Sequence, residues 1–499
     1  MKRAVTLLLV TCTSAALAGD PHAGHAAGAV DFKVHCAPAV QAGFDRALAL
    51  LHHMTYPQAR AAFREVAERD PKCAMAHWGV ASTLFQPLWP TRPDLAERQA
   101  GWNEVERARA IGTKDRRETL FVDATAAFFQ DPASEDYWAR IRRWADASAR
   151  VHAAFPRDAD AAAFHALAVL ATTPQDRATR ANADEAAAIL APVLARTPDH
   201  PGAMHYLVHA DDVPGRERET PNVVHRYESV APDNPHALHM PTHVYTRQGD
   251  WAGVVRGNLR AADAALRYPA GERGEFVWDE FPHAIEYLVY AYLQEGDVAN
   301  AVKQRDRLLA TQHLQPSFKT AFHLASVQAR IPLETGDWNA AAALVPRQPA
   351  WVAWDKFPWP EAIAQFAHGL GSARIGELDA ARTAHARLQA LEANAARAGE
   401  SLFERNIRVL RLELEGALAQ ANHHVDDGIA KLQAAAQLES GTPKHAVTPG
   451  PTLPAEELLA QAYLANGQRA QAHDAYARAL AHYPNRRNAK LGLESSASH

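Results

Sequence analysis

A recurring turn motif constrains the fold of this chain more than any other feature of its sequence. Glycine followed by an acidic and then an apolar residue occurs at Gly249, Gly296, Gly336 and Gly376, at intervals of 47, 40 and 40 residues. An alanine-rich segment follows each of these turns. A fixed period of this size is typical of stacked helical hairpins, and tetratricopeptide repeats recur about every 34 residues. The longer intervals predict longer helices or insertions within the repeats.

The clearest single repeat spans residues 455 to 484. Ala460, Ala472 and Ala479 are small residues that allow two antiparallel helices to approach closely. Gly467 permits the turn between these helices, and Pro484 ends the second one. Runs of strand-forming residues are scarce along the chain. The sequence therefore predicts an all-α fold, a tetratricopeptide-like (TPR-like) α-solenoid of antiparallel hairpins.

The first eighteen residues carry the features of a secretory signal peptide. Lys2 and Arg3 are followed by an apolar stretch from 4 to 15, and small residues precede a cleavage site after Ala18. The apolar stretch is too short for a membrane anchor, which needs about 20 residues. We therefore expect a periplasmic or secreted protein.

Cysteine usage agrees with this compartment. Of the three cysteines in the chain, Cys36 and Cys73 remain once residues 1–18 are removed. They flank two predicted helices, from about Pro38 to His53 and from Pro57 to Arg69. A disulfide between them would clamp the open end of the hairpin. Metal binding by the two thiols is the alternative.

The remaining chain divides at changes in composition. We expect a flexible segment over residues 19–35, a helical repeat array over 36–440, a proline-rich linker over 441–454, and a C-terminal repeat with a tail over 455–499. Net charge is −5 and basic blocks are missing, which argues against a nucleic-acid partner. No later segment is apolar enough to span a membrane. The expected partner is a protein or peptide on the concave face of the solenoid.

Three segments are far more specific than a degenerate repeat requires: residues 70–79, 198–210 and 235–243. They resemble corresponding segments of a group of secreted bacterial TPR proteins, and the resemblance extends from about Val34 to Gln312. It implies the fold and export of the chain, and it assigns no activity.

The main chemical feature is a set of five histidines in the middle of the chain. His205 and His209 are four residues apart, and His236, His239 and His243 are three and four apart. On helices, each set shares one face. TPR packing needs alanine and aromatic side chains at such positions, whereas neutral imidazole suits zinc, copper, nickel or iron.

Neighbouring residues could complete a metal site. His200 and His283 begin neighbouring segments, and the thioether of Met240 beside His239 would suit copper. The expected cofactor is thus a transition metal, copper or zinc. Acidic residues that could orient the imidazole rings are Glu280, Glu286, Asp211 and Asp212.

Three interpretations of these histidines stay open at this point. They could bind a metal, form structural hydrogen bonds, or recognise an anionic or peptide group. We expect a binding scaffold for a protein or peptide, with a metal-binding protein or a metalloenzyme as the alternative. Catalytic residues are not assigned, because the sequence has no phosphate-binding glycine loop, no Gly-x-Ser-x-Gly and no His-Glu-x-x-His motif.

Overall fold

A computed structural model describes residues 27–28, 30–271 and 273–497 of the chain. Antiparallel helical hairpins stack one on the next throughout this part, and the prediction of an all-α, TPR-like solenoid is confirmed. None of the helices in these ranges has the length and apolar character needed to cross a membrane. The predicted signal peptide, residues 1–18, lies outside the described residues.

The N-terminal hairpins are held together by a disulfide and an aromatic core. Cys36 and Cys73 form the disulfide at the open end of the first hairpin, and their Cα atoms are 4.7 Å apart. Phe32 is fully buried and stacks on Trp78, with ring centroids 5.7 Å apart, so the segment that we expected to be flexible packs on the array from this point. The helices here are α1 (Gln41–His52), α2 (Tyr56–Arg69), α3 (Ala74–Ser82), α4 (Leu95–Ile111), α5 (Arg116–Phe129), α6 (Tyr137–Ala154), α7 (Ala159–Ala171) and α8 (Ala181–Arg196).

The glycine motif ends one helix and starts the next in the central part of the array. Gly249 and Gly296 adopt positive φ angles of 68° and 81°, which favour glycine, and the following Asp250 and Asp297 cap the next helices. The elements here are α9 (Pro201–Asp211), α10 (Pro221–Val230), α11 (Pro235–His239), α12 (Pro241–Gln248), α13 (Trp251–Ala265), β1 (Pro269–Ala270), β2 (Phe276–Val277), α14 (Glu280–Glu295), α15 (Val298–Ala310) and α16 (Phe318–Thr335). The strands β1 and β2 pair antiparallel.

The C-terminal hairpins fold back onto the central ones. The buried Arg486, at the start of the last helix, donates a hydrogen bond to the hydroxyl of Tyr290 on α14 at 3.3 Å. The helices here are α17 (Trp338–Ala342), α18 (Pro358–Ile375), α19 (Leu378–Arg397), α20 (Ser401–Ala421), α21 (Val425–Ser440), α22 (Ala455–Ala465), α23 (Arg469–His482) and α24 (Arg487–Ser496).

Residues 441–454, predicted as a linker, form an extended segment that we call the inner strap. Val447 and Leu453 of the strap are buried. Arg330 of α16 donates hydrogen bonds to the carbonyl oxygens of Gly450 at 2.7 Å and Pro451 at 2.6 Å. The strap therefore covers the helices that line the middle of the solenoid.

Candidate metal centre

Six histidines from successive hairpins gather beside the inner strap. Helix α9 supplies two of them, the consecutive helices α11 and α12 supply three, and α14 supplies the last. They divide into two groups of three, and within each group one ligand nitrogen per ring lies within 4.8 Å of the others. Site 1 consists of His205, His209 and His236, and site 2 consists of His239, His243 and His283. The two sites adjoin, because the rings of His236 and His239 are 6.3 Å apart.

Each site contains two Nε2 atoms that face each other at short distance. In site 1 the Nε2 atoms of His205 and His236 are 3.1 Å apart. In site 2 those of His239 and His243 are 2.9 Å apart. Whether such a pair can form a hydrogen bond depends on which nitrogen of each ring carries the proton.

In site 1 the other ring nitrogen of both histidines faces a group that only accepts hydrogen bonds. His205 Nδ1 donates to the backbone oxygen of His52 at 2.6 Å, and His236 Nδ1 donates to a carboxylate oxygen of Glu280 at 2.9 Å. Burial raises the pKa of Glu280, but the charge of Lys319 and the contact with His236 outweigh burial and hold this pKa below its usual range. In their neutral form, His205 and His236 therefore carry the proton on Nδ1 and present a lone pair at Nε2.

The same assignment holds in site 2. His243 Nδ1 donates to Asp212 Oδ2 at 2.8 Å, and His239 Nδ1 donates to Asn258 Oδ1 at 2.6 Å. The amide group of Asn258 is fixed in this orientation because its nitrogen donates to the backbone oxygen of Val254 at 2.9 Å. The facing Nε2 atoms of site 2 are thus also unprotonated.

The third histidine of site 2 is oriented through a further histidine. His283 Nδ1 donates to His323 Nε2 at 3.1 Å, and His323 Nδ1 donates in turn to Glu286. Glu286 also accepts a hydrogen bond from Arg330 at 3.0 Å. His283 Nε2 is left without a hydrogen-bond partner among the described residues, and the same is true of His209 Nε2 in site 1.

Burial favours the neutral form of five of the six rings. It lowers the pKa of His243 to about 4, and it lowers the pKa values of His205, His209, His239 and His283 well below the usual range. Two unprotonated nitrogens that face each other cannot form a hydrogen bond, and they repel one another. A cation between them would convert the repulsion into attraction. Each site can therefore offer three imidazole nitrogens to one metal ion.

The carboxylates around the centre are each shared between a histidine and a basic side chain. Asp212 binds His243 and also accepts from Arg247 at 2.6 Å and Lys444 at 3.0 Å. Glu280 pairs with Lys319, and Glu286 pairs with Arg330. These ion pairs fix the carboxylates as acceptors, which in turn fixes the rings.

Other residues that the sequence proposed for the site lie elsewhere. His200 caps α9 by accepting the backbone N–H of Ala203 at 3.2 Å, and it belongs to a separate group with His52 and Asp160. Its place at the start of a helix explains this difference, because its ring is needed for the cap. Asp211 also orients none of the six rings, since Arg216 and Thr220 take up its oxygens.

Met240 is fully buried in an apolar cluster that contains Met204, Tyr227 and Tyr287. Its role as a ligand stays a prediction. Methionine commonly fills irregular spaces in a core in this way.

Sequence reasoning missed several residues that shape the centre. His323 lies on α16, one hairpin beyond His283. The signal for it in the sequence is a further histidine in the next helical repeat. Asn258 and Trp89 carry no such signal, because Asn258 is on a second helix and Trp89 comes from a distant loop. The ring of Trp89 lies 5.1 Å from that of His236.

Comparisons with known proteins add little beyond the fold. No family model matches the chain, and no curated protein is similar to it. Among solved structures, the APC/C hetero-tetramer Cut9–Hcn1 matches with 12% identity, a TM-score of 0.42, and coverage of 91% of this chain and 76% of that one. A human IFIT1 dimer with m7Gppp-AAAA matches with 14% identity, a TM-score of 0.40, and coverage of 82% and 89%. Both neighbours are TPR-repeat proteins, and at these scores they carry no argument about function.

Proposed function

We propose that this protein is a metal-binding protein whose centre holds two transition-metal ions. Site 1 takes one ion and site 2 takes the other. One observation carries the proposal: the Nδ1 atoms of five buried rings are occupied, and the Nε2 atoms of four of these rings face one another in pairs within the sites. Histidine ligands in metal sites are oriented in this way by acceptors on the far side of the ring.

The ligand set favours copper. Magnesium and calcium prefer oxygen ligands, whereas each site offers imidazole nitrogen alone. Among divalent first-row metals, a nitrogen site of this kind binds copper most tightly, and zinc is the main competitor. Three protein ligands also leave a coordination position open, which is the arrangement found in catalytic metal sites.

The helical repeats act here as the scaffold for the centre. Successive hairpins each contribute a helix that carries one or more of the ligands. The strap contacts the same region, since the hydroxyl of Tyr287 donates to the strap oxygen of Thr448 at 3.2 Å. A peptide on the inner surface would meet this covered region, and we therefore assign the function to metal binding rather than to a peptide partner.

We also propose that the protein works in the periplasm or outside the cell. The features of residues 1–18 and the disulfide between Cys36 and Cys73 support this placement. Mass spectrometry of the intact protein from periplasmic material, with and without reduction before alkylation, tests the disulfide on which this placement partly rests. Free thiols at both cysteines in the unreduced sample would remove that support.

Elemental analysis tests the metal centre. The untagged protein would be purified without chelator, stripped of metal, incubated with copper or with zinc, and dialysed. We expect close to two ions bound per chain. A protein that binds neither metal after this treatment would disprove the proposal.

A further inference from the structure

One side of the metal centre opens into a pocket of about 340 Å³. His209, the only partly exposed ligand of site 1, lines this pocket together with Asp212. The indole of Trp89 also lines it, and the Trp89 ring lies 5.1 Å from His236 and 6.0 Å from His283. The pocket thus reaches the edge of site 1 at the ring of His209, and its size is that of a small-molecule site.

The pocket has an aromatic and apolar part beside polar residues such as Thr173, Gln175 and Arg180. The walls of the apolar part are formed by Trp89, Trp138, Leu88, Leu402 and Phe403. Such walls favour an aromatic ring, which can stack on indole or phenyl groups while it loses its contact with water. The strap closes one end of the pocket with residues 443 to 446.

The charged groups of the pocket are largely satisfied within the protein. Arg92 binds Glu400 at 3.1 Å and lies over the ring of Tyr137 at 3.9 Å. At the inner end, Arg247 and Lys444 both bind the single carboxylate of Asp212, which leaves a surplus positive charge near His209. A neutral ligand fits this distribution of charges if it carries an oxygen that loses its proton when it binds a metal.

A further polar group is free to contact such a ligand. His445 of the strap lines the pocket, and its Nδ1 accepts the backbone N–H of Val447 at 3.0 Å. Its proton therefore sits on Nε2, for which the described residues supply no acceptor. The walls thus provide stacking surfaces, a hydrogen-bond donor, and a metal site at the inner end.

We propose that the pocket binds a small aromatic molecule with a phenolic hydroxyl, and that the phenolic oxygen is directed at the ion in site 1. The direction of the oxygen rests on the metal centre proposed above, whereas binding of the ring depends on the pocket alone. The metal would supply the open coordination position, and His209 would place that position at the inner end of the pocket.

The test uses two matched probes, p-cresol and 4-methylanisole. The second is the methyl ether of the first, so its oxygen carries a methyl group in place of the phenolic proton. Isothermal titration calorimetry measures their binding to the full mature protein, both metal-free and loaded with zinc, an ion that cannot oxidise a phenol. We expect both probes to bind the metal-free protein with similar affinity. Zinc should strengthen p-cresol binding by about tenfold or more and leave 4-methylanisole unchanged.

A pocket-filling variant locates the binding site. Ala446→Phe places a large side chain in the pocket, and Ala470→Phe makes the same change at an exposed position on α23. We expect Ala446→Phe to abolish binding of both probes, while Ala470→Phe binds them like the unchanged protein. Metal content of both variants should stay at its normal value.

The two proposals fail in different ways. If the metal-free protein binds neither probe, or if Ala446→Phe still binds both, the pocket is not the aromatic site. If the zinc-loaded protein binds p-cresol no better than 4-methylanisole, the oxygen is not directed at the metal. A protein that binds both probes but takes up no zinc or copper would disprove the metal centre while the aromatic pocket stands.

Discussion

Two buried histidine groups lie close together in this molecule, and they are built on opposite plans. In the first, the trio of His52, Asp160 and His200, a carboxylate lies between the rings: Asp160 Oδ1 is 2.9 Å from His52 Nε2 and 3.3 Å from His200 Nε2. The Nδ1 atom of each ring also has a partner, because His52 Nδ1 meets the hydroxyl of Tyr206 and His200 Nδ1 accepts the N–H of Ala203. His200 Nε2 makes no hydrogen bond with a described residue. In the second, the candidate metal centre, the acceptors lie outside the rings and the Nε2 atoms face one another in pairs.

On our proposal, the position of the acceptor, rather than the number of histidines, separates a structural group from a metal site. Both groups place three potential ligands within the same distance of one another. Burial raises the pKa of Asp160, but its contacts with His200 and His52 outweigh burial and lower this pKa below its usual range. The trio therefore keeps an ionised carboxylate between its rings, whereas in the centre ring nitrogens face one another directly.

The largest expected effect comes from removing ligands of site 2. We expect the double variant His239→Ala, His243→Ala to bind one ion per chain instead of two, because site 2 would retain a single imidazole. The affinity of site 2 should fall by about a thousandfold or more, which is about 4 kcal/mol. Elemental analysis after dialysis against a weak chelator measures the loss.

The matched control makes the same change in the trio. His52→Ala with His200→Ala also removes two buried imidazoles, yet we expect this variant to keep two ions. Circular dichroism checks that both variants remain helical. Equal metal loss in the two variants would mean that the position of the acceptors does not distinguish a metal site from a structural group.

A smaller effect is expected when an acceptor is changed and the ligands are kept. Asp212→Asn removes the charge that holds the Nδ1 proton of His243, and changes of this kind weaken metal binding by about 10- to 100-fold. Asp160→Asn makes the same change in the trio and should leave metal affinity unaltered. Competition with a coloured chelator of known affinity measures both, and an unchanged affinity in Asp212→Asn would contradict the assigned role of the acceptor.

Much of the fold follows from the sequence. The glycine motif predicts the hairpins because Gly249 and Gly296 adopt the left-handed conformation that ends a helix. The disulfide followed from two cysteines that flank a helical hairpin. The strap was not recognised, because proline-rich composition shows that a segment is not helical but does not show whether it is exposed.

Only those residues of the candidate site that recur at helical spacing could be predicted from the sequence. The spacing of His236, His239 and His243 places them on one face, and the structure brings that face to His205 and His209. The contacts that fix the protons could not be read from the sequence, since Asn258 and His52 approach these rings from other helices. These contacts depend on how distant helices pack against one another. The periodicity of residues along one helix carries no information about that packing.

The pH dependence of stability offers a third test, on the trio in metal-free protein. Burial lowers the pKa of His52 below its usual value of about 6.5. At pH values between these two, the folded chain leaves this ring neutral while the unfolded chain protonates it. Between the lowered pKa and about 6.5 unfolding takes up one proton, and the free energy of unfolding falls as pH falls, by about 1.4 kcal/mol per pH unit.

The variant His52→Gln should remove that contribution to the slope. His473→Gln, at a site where the side chain is 44% exposed, serves as the control and should keep the original slope. Denaturant unfolding at a series of pH values from 7 to 5 measures the difference. Equal slopes in the two variants would show that folding does not lower the pKa of His52.

The smallest effect concerns His200, the residue that the sequence assigned to the metal site and the structure places at the start of α9. If its role is to cap this helix, His200→Asn should be more stable than His200→Ala by about 1 kcal/mol, because asparagine also caps a helix well. Both variants should bind two metal ions with unchanged affinity, since no ligand or acceptor of the centre is altered. A loss of metal in both variants, with equal stability, would place His200 in the centre after all and would break the division between the two groups.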